Sequence, residues 1–192
     1  ISAEEELSRV APVVERLRAA GVSTPISADT FRADVAETLL RSGVDLVNDV
    51  SGGRLDERMF ATVAAHGSAP VVAMHSRGTP ATMQSLAAYC DDVVGEVRAE
   101  LASTLKLALE AGVPRWRLIS DPGIGFAKTR EHNLEVLRGL ERLGSGGLGY
   151  PMMVGVSRKA FIGSLLGGVP PKERIWGSAG ACGASSHHED TR

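Results

Sequence analysis

Short apolar runs alternate with longer amphipathic segments along this chain. Apolar residues recur at helical spacing in six segments, which predicts helices near residues 3–20, 31–42, 57–66, 92–111, 130–143 and 160–166. Five runs rich in β-branched residues predict strands near residues 25–28, 46–50, 71–74, 118–120 and 152–156. These strands are apolar nearly throughout, which indicates that other elements cover both of their faces. The alternation therefore predicts an α/β fold with a parallel sheet.

The residues that follow the strands favour a barrel over an open sheet. Each predicted strand ends in polar or glycine-rich residues, at Asp29, Asn48-Asp49, His75, Asp121 and Ser157-Arg158-Lys159. Polar groups at the carboxyl end of every strand converge on the mouth of a (β/α)8 or TIM barrel, whereas an open sheet concentrates them at one switch point. No GxGxxG motif follows a strand, which counts against a dinucleotide-binding sheet. We predict an incomplete TIM barrel, because the five predicted strands are fewer than the eight that close one.

Composition then narrows the classes of function. The 192 residues carry a net charge of −2 and are 43% hydrophobic, which is typical of one globular domain. A nucleic-acid binder usually has a basic face, so we expect no nucleic-acid partner. No apolar run approaches the roughly 18 residues of a membrane span, so we expect no membrane partner. Cys90 and Cys182 match no zinc-ligand or CxxC spacing and are expected to be free thiols.

Two polar residues at the ends of early strands are candidate ligand contacts. Asp29 follows the first strand, where it either binds a ligand or caps the helix that begins near Phe31. Asn48 lies inside an apolar strand, where asparagine is disfavoured. Its buried amide needs partners, which either a ligand with mixed donors and acceptors or neighbouring backbone would supply.

The segment from Asp121 to Phe126 combines a carboxylate with glycines and an aromatic ring. A carboxylate at a strand end accepts two parallel N–H bonds from a ring that presents an amine beside an amide N–H, and a pterin has that edge. Gly125 lets the backbone approach a flat ligand closely, and Phe126 is suited to pack on an aromatic substrate. The alternative is a tight turn that Asp121 caps.

Two cations follow the last predicted strand. Lys159 would bond a pterin carbonyl and ring nitrogen, and Arg158 would face a carboxylate-bearing partner. In isolation, Ser157-Arg158-Lys159 is equally well explained as a solvated basic turn. His75 and Arg77 lie on one loop, where a lone histidine is more often structural than catalytic.

Five motifs together resemble dihydropteroate synthase. The resemblance covers roughly residues 1–181, and the Asp121 and Ser157 motifs are its most specific parts. The motifs are Ser27-Ala28-Asp29-Thr30, Val47-Asn48-Asp49-Val50-Ser51-Gly52-Gly53, Met74-His75-Ser76-Arg77-Gly78-Thr79-Pro80, Asp121-Pro122-Gly123-Ile124-Gly125-Phe126-Ala127-Lys128 and Gly155-Val156-Ser157-Arg158-Lys159.

The resemblance implies roles for the matching positions. Asp29, Asn48, Asp121 and Lys159 would hold a pterin ring, with Val50 and Met74 packed nearby. Phe126, Ser157, Arg158 and Lys159 would border the 4-aminobenzoate site, where sulfonamides compete. The implied reaction displaces diphosphate from (7,8-dihydropterin-6-yl)methyl diphosphate by the arylamine of 4-aminobenzoate. Asp29, Asp121 and Lys159 are the candidate catalytic residues.

The resemblance also sets expectations for what surrounds the matched region. It implies a Mg²⁺ cofactor, but the family's metal-binding asparagine precedes the first helix of this chain and its Arg-x-His anion site lies in a last strand. Both are missing here, so we expect a partial domain over residues 1–181, an irregular tail over 182–192 and weak or absent turnover for this chain alone. The family implies a homodimer for a complete protein and a cytoplasmic location, or a mitochondrial one for a eukaryotic multifunctional protein.

Two rival hypotheses stay open. A methyltetrahydrofolate-binding domain of a corrinoid methyltransferase shares the barrel and a similar pterin pocket, although Ser157-Arg158-Lys159 favours the synthase. The other rival is a catalytically inactive pterin-binding fragment.

Overall fold

The alternation of helices and strands is confirmed in the computed structural model, which describes residues 1–79 and 81–186. The strands in these residues are β1 (Ser27–Asp29), β2 (Leu46–Asp49), β3 (Val71–Met74) and β4 (Leu118–Asp121). The helices are α1 (Ala3–Ala19), α2 (Ala33–Arg41), α3 (Met59–Ala65), α4 (Val93–Glu110), α5 (Arg130–Arg138), α6 (Ala160–Leu165) and α7 (Ile175–Ser186). No helix in this part of the chain combines the length and the apolar character that crossing a bilayer requires.

The strands form one sheet in the order β1-β2-β3-β4. β2 runs parallel to both of its neighbours, with Ala28 opposite Val47 and Val47 opposite Val71. All four residues of β3 are buried, as expected for a strand covered on both faces. The predicted parallel sheet is therefore confirmed.

The described residues group into two compact units. Unit 1 consists of Ile1–Met74 and Ser103–Ile119, and unit 2 consists of His75–Ala102 and the described part of the chain from Ser120 onward. The expectation of one partial domain over residues 1–181 stays a prediction.

Unit 1 contains an apolar core between its first helices and β1. Val14 of α1 and Val35 and Leu39 of α2 are buried there with Ala28 of β1. The Ser2 side chain accepts a hydrogen bond from the Glu5 N–H at 3.2 Å and caps the start of α1.

Unit 2 has its own core, formed by the first turns of α4, by α5 and by α6. It includes Val97 of α4, Val136 of α5, Phe161 of α6 and Ile124 of the segment that follows β4. The turn after β4 packs on this core through Ile124, which is almost wholly buried in it.

The structure differs from the sequence prediction at the fifth strand. The predicted strand over residues 152–156 is reduced to a single parallel bridge between Ser120 and Met152. The Ser120 N–H donates to the Pro151 carbonyl at 2.9 Å and the Met153 N–H donates to the Ser120 carbonyl at 2.8 Å, after which the ladder ends. The prediction of a full strand is wrong, because an apolar run forms a strand only where a neighbouring strand pairs with it along its length.

The predicted irregular tail differs as well. α7 continues to Ser186, so residues 182–186 are helical. The rest of the predicted tail, residues 187–192, lies outside the described residues.

Arg117 is a fully buried cation in unit 1. Its guanidinium donates to the carbonyls of Ala69 at 2.7 Å and Val63 at 2.6 Å, and to that of His66 at 3.2 Å. These carbonyls lie at and beyond the C-terminal end of α3, where those of Val63 and His66 also accept the N–H groups of His66 and Ala69. The arginine therefore ties the end of α3 to the strand β4 that follows it.

We predict that Arg117→Met lowers the free energy of unfolding by about 2–4 kcal/mol, because it removes the buried hydrogen bonds to the Ala69 and Val63 carbonyls and the part-buried one to the His66 carbonyl. Urea denaturation measures the change. Arg41→Met is the matched control, since it removes an exposed ion pair with Glu37 on α2 and should cost less than about 0.5 kcal/mol. Equal losses in the two variants would contradict the role assigned to Arg117.

Candidate functional site

Asp29 and Asn48 form the candidate cluster of unit 1. They lie on adjacent strands, opposite each other in the β1-β2 register. The Asn48 amide Nδ2 donates to Asp29 Oδ1 at 2.6 Å. Asn48 Oδ1 is buried, and within the described residues it has no hydrogen-bond partner. Such an oxygen is costly unless a donor reaches it, so this side chain is oriented for a donor that the described residues do not supply.

The alternative role of Asp29 as a helix cap is wrong. α2 begins after Arg32, and no side chain caps it from that position. Asp56 accepts a hydrogen bond from the Ala33 N–H at 2.9 Å and Thr30 Oγ1 accepts one from the Arg32 N–H at 3.2 Å. Because other residues satisfy the start of α2, the exposed Asp29 carboxylate is left to its contact with Asn48.

Val50 and Met74 border the ends of β2 and β3. Met74 is buried and Val50 is partly buried. Gly52 approaches Met74 so closely that an added Cβ would lie 2.7 Å from the Met74 carbonyl oxygen, and its φ of +60° is in the left-handed region. Asp49, which the sequence left without a role, holds this turn by accepting hydrogen bonds from the N–H groups of Ser51 and Gly53.

Asp121 is the central acidic residue of unit 2. It is the last residue of β4 and only 5% exposed. Its Oδ1 accepts a hydrogen bond from the Gly123 N–H at 2.7 Å, and Oδ2 accepts none from the part of the chain that the structure describes. Burial raises the pKa of the carboxyl to about 6, although the Gly123 N–H and the ammonium groups of Lys159 and Lys128 act in the opposite direction. The alternative of a capped turn is thus correct for one oxygen of Asp121.

Lys159 and Phe126 form a cation–aromatic contact beside this turn. The Lys159 Nζ lies 4.4 Å from the centroid of the Phe126 ring. Burial lowers the pKa of the Lys159 ammonium, and the charge of Asp121 partly offsets that shift. Gly125 has a φ of +84°, which favours glycine, and an added Cβ there would lie 3.0 Å from Lys159 Cδ. Unit 2 therefore brings Asp121, Gly125, Phe126 and Lys159 together, as the sequence predicts.

Ser157 and Arg158 have exposed side chains. The backbone of Arg158 is in the left-handed region, with a φ of 52°. Its N–H donates to Ser178 Oγ of α7 at 2.8 Å, and its carbonyl accepts from the Arg174 guanidinium at 3.0 Å. Arg174 and Ser178 were not predicted as site residues, and their role follows only from contacts made 16 to 20 positions along the chain.

His75, Arg77 and Lys128 form a polar cluster in unit 2. His75 and Lys128 are both buried, and the Lys128 Nζ lies 2.9 Å from His75 Nδ1. His75 Nε2 lies 3.0 Å from Glu100 Oε2, and Arg77 pairs with Glu100 and Glu96. The expected structural role of His75 agrees with these contacts. The sequence places Lys128 two residues after Phe126, but that spacing alone does not predict its burial.

The donor set does not fit a protein-held metal ion. Within residues 1–79 and 81–186 there is no group of three His, Cys, Asp or Glu side chains placed to hold one.

Comparison with known proteins identifies the family. Residues 1–188 match the family described as pterin binding enzyme. The chain belongs to the pterin-binding enzyme family. A dihydropteroate synthase of Synechocystis is 46% identical over 182 residues, which cover 95% of this chain and 61% of that protein. This chain thus spans less than two thirds of that member of the family.

Solved structures of the family share the fold. The dihydropteroate synthase of Stenotrophomonas maltophilia, with imidazole in its active site, matches with a TM-score of 0.90 and 41% identity over 98% of this chain and 69% of that one. The enzyme of Xanthomonas albilineans in complex with 7,8-dihydropteroate matches with a TM-score of 0.87 and 37% identity over 98% of this chain and 66% of that one. The predicted fold class and the resemblance to dihydropteroate synthase are confirmed.

We predict that Asp121→Asn stabilises this family member at pH 7. A carboxyl whose pKa rises from about 3.9 in the unfolded chain to about 6 in the fold costs up to about 3 kcal/mol when it must ionise. The folded state binds more protons between these values, so stability falls as pH rises through them. The asparagine retains an oxygen for the Gly123 N–H.

Urea denaturation at pH 7 and pH 3.5 tests this expectation. The variant should be about 1–3 kcal/mol more stable than the parent at pH 7, and the difference should largely vanish at pH 3.5. A variant that is less stable than the parent at pH 7 would show that the carboxylate is favourably solvated in the fold.

Proposed function

We propose that the protein to which this chain belongs is a dihydropteroate synthase. It condenses (7,8-dihydropterin-6-yl)methyl diphosphate with 4-aminobenzoate to give 7,8-dihydropteroate and diphosphate. The observation that carries the proposal is the buried Asp121 carboxylate, which has one oxygen open to a ligand, beside the Lys159 ammonium and the Phe126 ring. The named relatives support it, because a solved structure of one contains the product, 7,8-dihydropteroate.

Recognition of the pterin in unit 2 follows from complementary donors and acceptors. The Asp121 carboxylate accepts from the pterin's exocyclic amine and the adjacent ring N–H, which is a charge-assisted pair of hydrogen bonds. The Lys159 ammonium, whose charge interacts with that of Asp121, donates to the pterin carbonyl and a ring nitrogen. The low exposure of Asp121 strengthens these bonds, because water competes poorly there.

We propose Asp29 and Asn48 of unit 1 as pterin contacts. The unpartnered Asn48 Oδ1 accepts a pterin N–H, and the Asp29 carboxylate faces the charge that develops during the reaction. Val50 and Met74 supply apolar contacts to the flat ring. The assignment rests on the unsatisfied amide oxygen and on the family to which the chain belongs.

The chemistry is stabilisation of a developing cation. Departure of diphosphate leaves positive charge on the pterin methylene, delocalised into the ring. The Asp121 carboxylate favours that charge electrostatically, and the residues that hold the ring position the methylene for attack by the arylamine. Lys159 orients the ring, while the exposed Ser157 and Arg158 bind the carboxylate of 4-aminobenzoate and Phe126 packs on its ring.

A methyltetrahydrofolate-binding domain is the alternative within the same chemistry. The names of the relatives favour the synthase, and so does the Ser157-Arg158-Lys159 motif, which resembles that of the synthase. Dimerisation of the complete protein, a cytoplasmic location and a Mg²⁺ cofactor stay predictions from the family. Sedimentation of the complete protein, fractionation of cells that produce it and a metal-dependent assay test them in turn.

We predict that Asp121→Asn weakens binding of pterin to this chain about a hundredfold or more. The change removes the charge and turns one acceptor into a donor that opposes the pterin N–H, at about 1.5–3 kcal/mol for each lost charge-assisted bond. Calorimetric titration with pterin measures the affinity. Asp91→Asn is the matched control, since Asp91 is exposed in the same unit. Undiminished binding by Asp121→Asn would remove the main support for the proposal.

Asn48→Leu should separate binding from stability. Leucine removes the buried oxygen that lacks a partner, so the free energy of unfolding should change by less than about 1 kcal/mol. Pterin affinity should fall about tenfold, because a donor on the ring loses its acceptor. The same titration, with thermal unfolding alongside, gives both quantities. Large destabilisation with unchanged affinity would show that Asn48 serves only the fold.

A further inference from the structure

A buried polar chain in unit 2 supports the turn that follows β4. Lys128 is only 3% exposed, and its Nζ lies 2.9 Å from His75 Nδ1, 3.1 Å from the Gly123 carbonyl oxygen and 3.2 Å from that of Phe126. His75, which is 1% exposed, continues the chain through Nε2 to Glu100 of α4 at 3.0 Å. Lys128, His75 and Glu100 are not among the residues proposed to bind substrate.

The contacts assign the protons along this chain. An ammonium has three donors, and Lys128 Nζ has three acceptors within hydrogen-bond distance. His75 Nδ1 is then an acceptor, so its proton is on Nε2 and is donated to Glu100. The hydrogen bond from His75, together with those from Arg77, holds the pKa of Glu100 at about 2 despite partial burial. Glu100 is therefore a fixed anion that sets the orientation of the imidazole.

Lys128 holds a turn with backbone strain. Ala127 has a φ of 46°, in the left-handed region that residues with a Cβ rarely adopt. The two carbonyls that Lys128 binds belong to Gly123 and Phe126, at the ends of the turn. Gly123 also donates its N–H to Asp121, and Phe126 carries the ring below the Lys159 ammonium. A change at Lys128 therefore reaches both the carboxylate and the aromatic ring through the backbone.

We propose that Lys128, held in place by His75, is a positioning residue that fixes the turn from Gly123 to Phe126 in the geometry that binds the pterin. It acts through the backbone of the turn and does not itself contact the substrate. The binding consequence rests on the proposed function, whereas the order of the turn does not.

Two substitutions of His75 separate its two contacts. The carboxamide of His75→Asn reaches the position of Nδ1 and still offers an oxygen to Lys128, but it loses Glu100. The carboxamide of His75→Gln reaches the position of Nε2, so it keeps Glu100 and loses Lys128. Lys128→Met removes the ammonium, and Lys172→Met is its matched control because Lys172 is exposed in the same unit.

Two readouts are measured on the full chain: pterin affinity by fluorescence titration, and hydrogen exchange of the Gly125 and Phe126 amides without ligand. These amides donate to Asn133 Oδ1 and to the Gly123 carbonyl in the ordered turn. We expect His75→Gln and Lys128→Met to weaken pterin binding about tenfold and to raise amide exchange at least tenfold. His75→Asn should stay within about twofold of the parent in both readouts, as should Lys172→Met.

The outcomes distinguish the two proposals. Equal behaviour of His75→Asn and His75→Gln in amide exchange overturns the positioning role, because a general loss of packing affects both alike. If the parent chain does not bind pterin, the proposed function fails, while the exchange pattern still decides the role of Lys128. If Lys128→Met does not fold, the comparison of the two His75 variants decides it alone.

Discussion

A carboxylate kept in a nearly dry position is the constraint on which unit 2 depends. Within the described residues, the Asp121 side chain at the end of β4 accepts one hydrogen bond, from the Gly123 N–H, and burial raises its pKa to about 6. A group in that state is unfavourable for folding at neutral pH. The surrounding structure limits the cost with positive charge from Lys159 and Lys128, and with a turn whose N–H points back at the carboxylate. The glycines, the strained Ala127 and the buried Lys128 are all features of that turn.

Unit 1 contains an uncharged buried acceptor, the amide oxygen of Asn48. Asn48 places an amide oxygen where no described residue donates to it, and Asp29 fixes the side chain through the other amide atom. Proteins satisfy most buried polar atoms internally, so the exceptions are informative. Each unit thus has acceptor oxygens to which the proposed function assigns a ligand, a heterocycle with several N–H donors. Membership in the pterin-binding enzyme family supports this assignment.

The sequence predicted the parts of this molecule that depend on local chemistry. A short run rich in β-branched residues predicted β3 at Val71–Met74, and Asp121, Gly125 and Phe126 were recognisable as one motif because they lie within six residues of each other. The strand over residues 152–156 was overpredicted, since pairing beyond Met152 depends on a neighbour that the local pattern does not specify. The capping role considered for Asp29 failed because Asp56, far along the chain, supplies the acceptor at α2. Lys128 was missed for the same reason, since its burial depends on His75, 53 positions away.

The most direct test of the account is the pH dependence of pterin affinity for the unaltered chain. If the open acceptor is the ionised Asp121, only the fraction of molecules with a charged carboxyl binds, and a pKa of about 6 leaves roughly a tenth of them competent at pH 5. Titrations between pH 5 and pH 7.5 should then show affinity rising about tenfold and levelling off above pH 7. An affinity that is constant across this range, or that rises as pH falls, would contradict the claim that a buried, ionised carboxylate at the end of β4 binds the pterin.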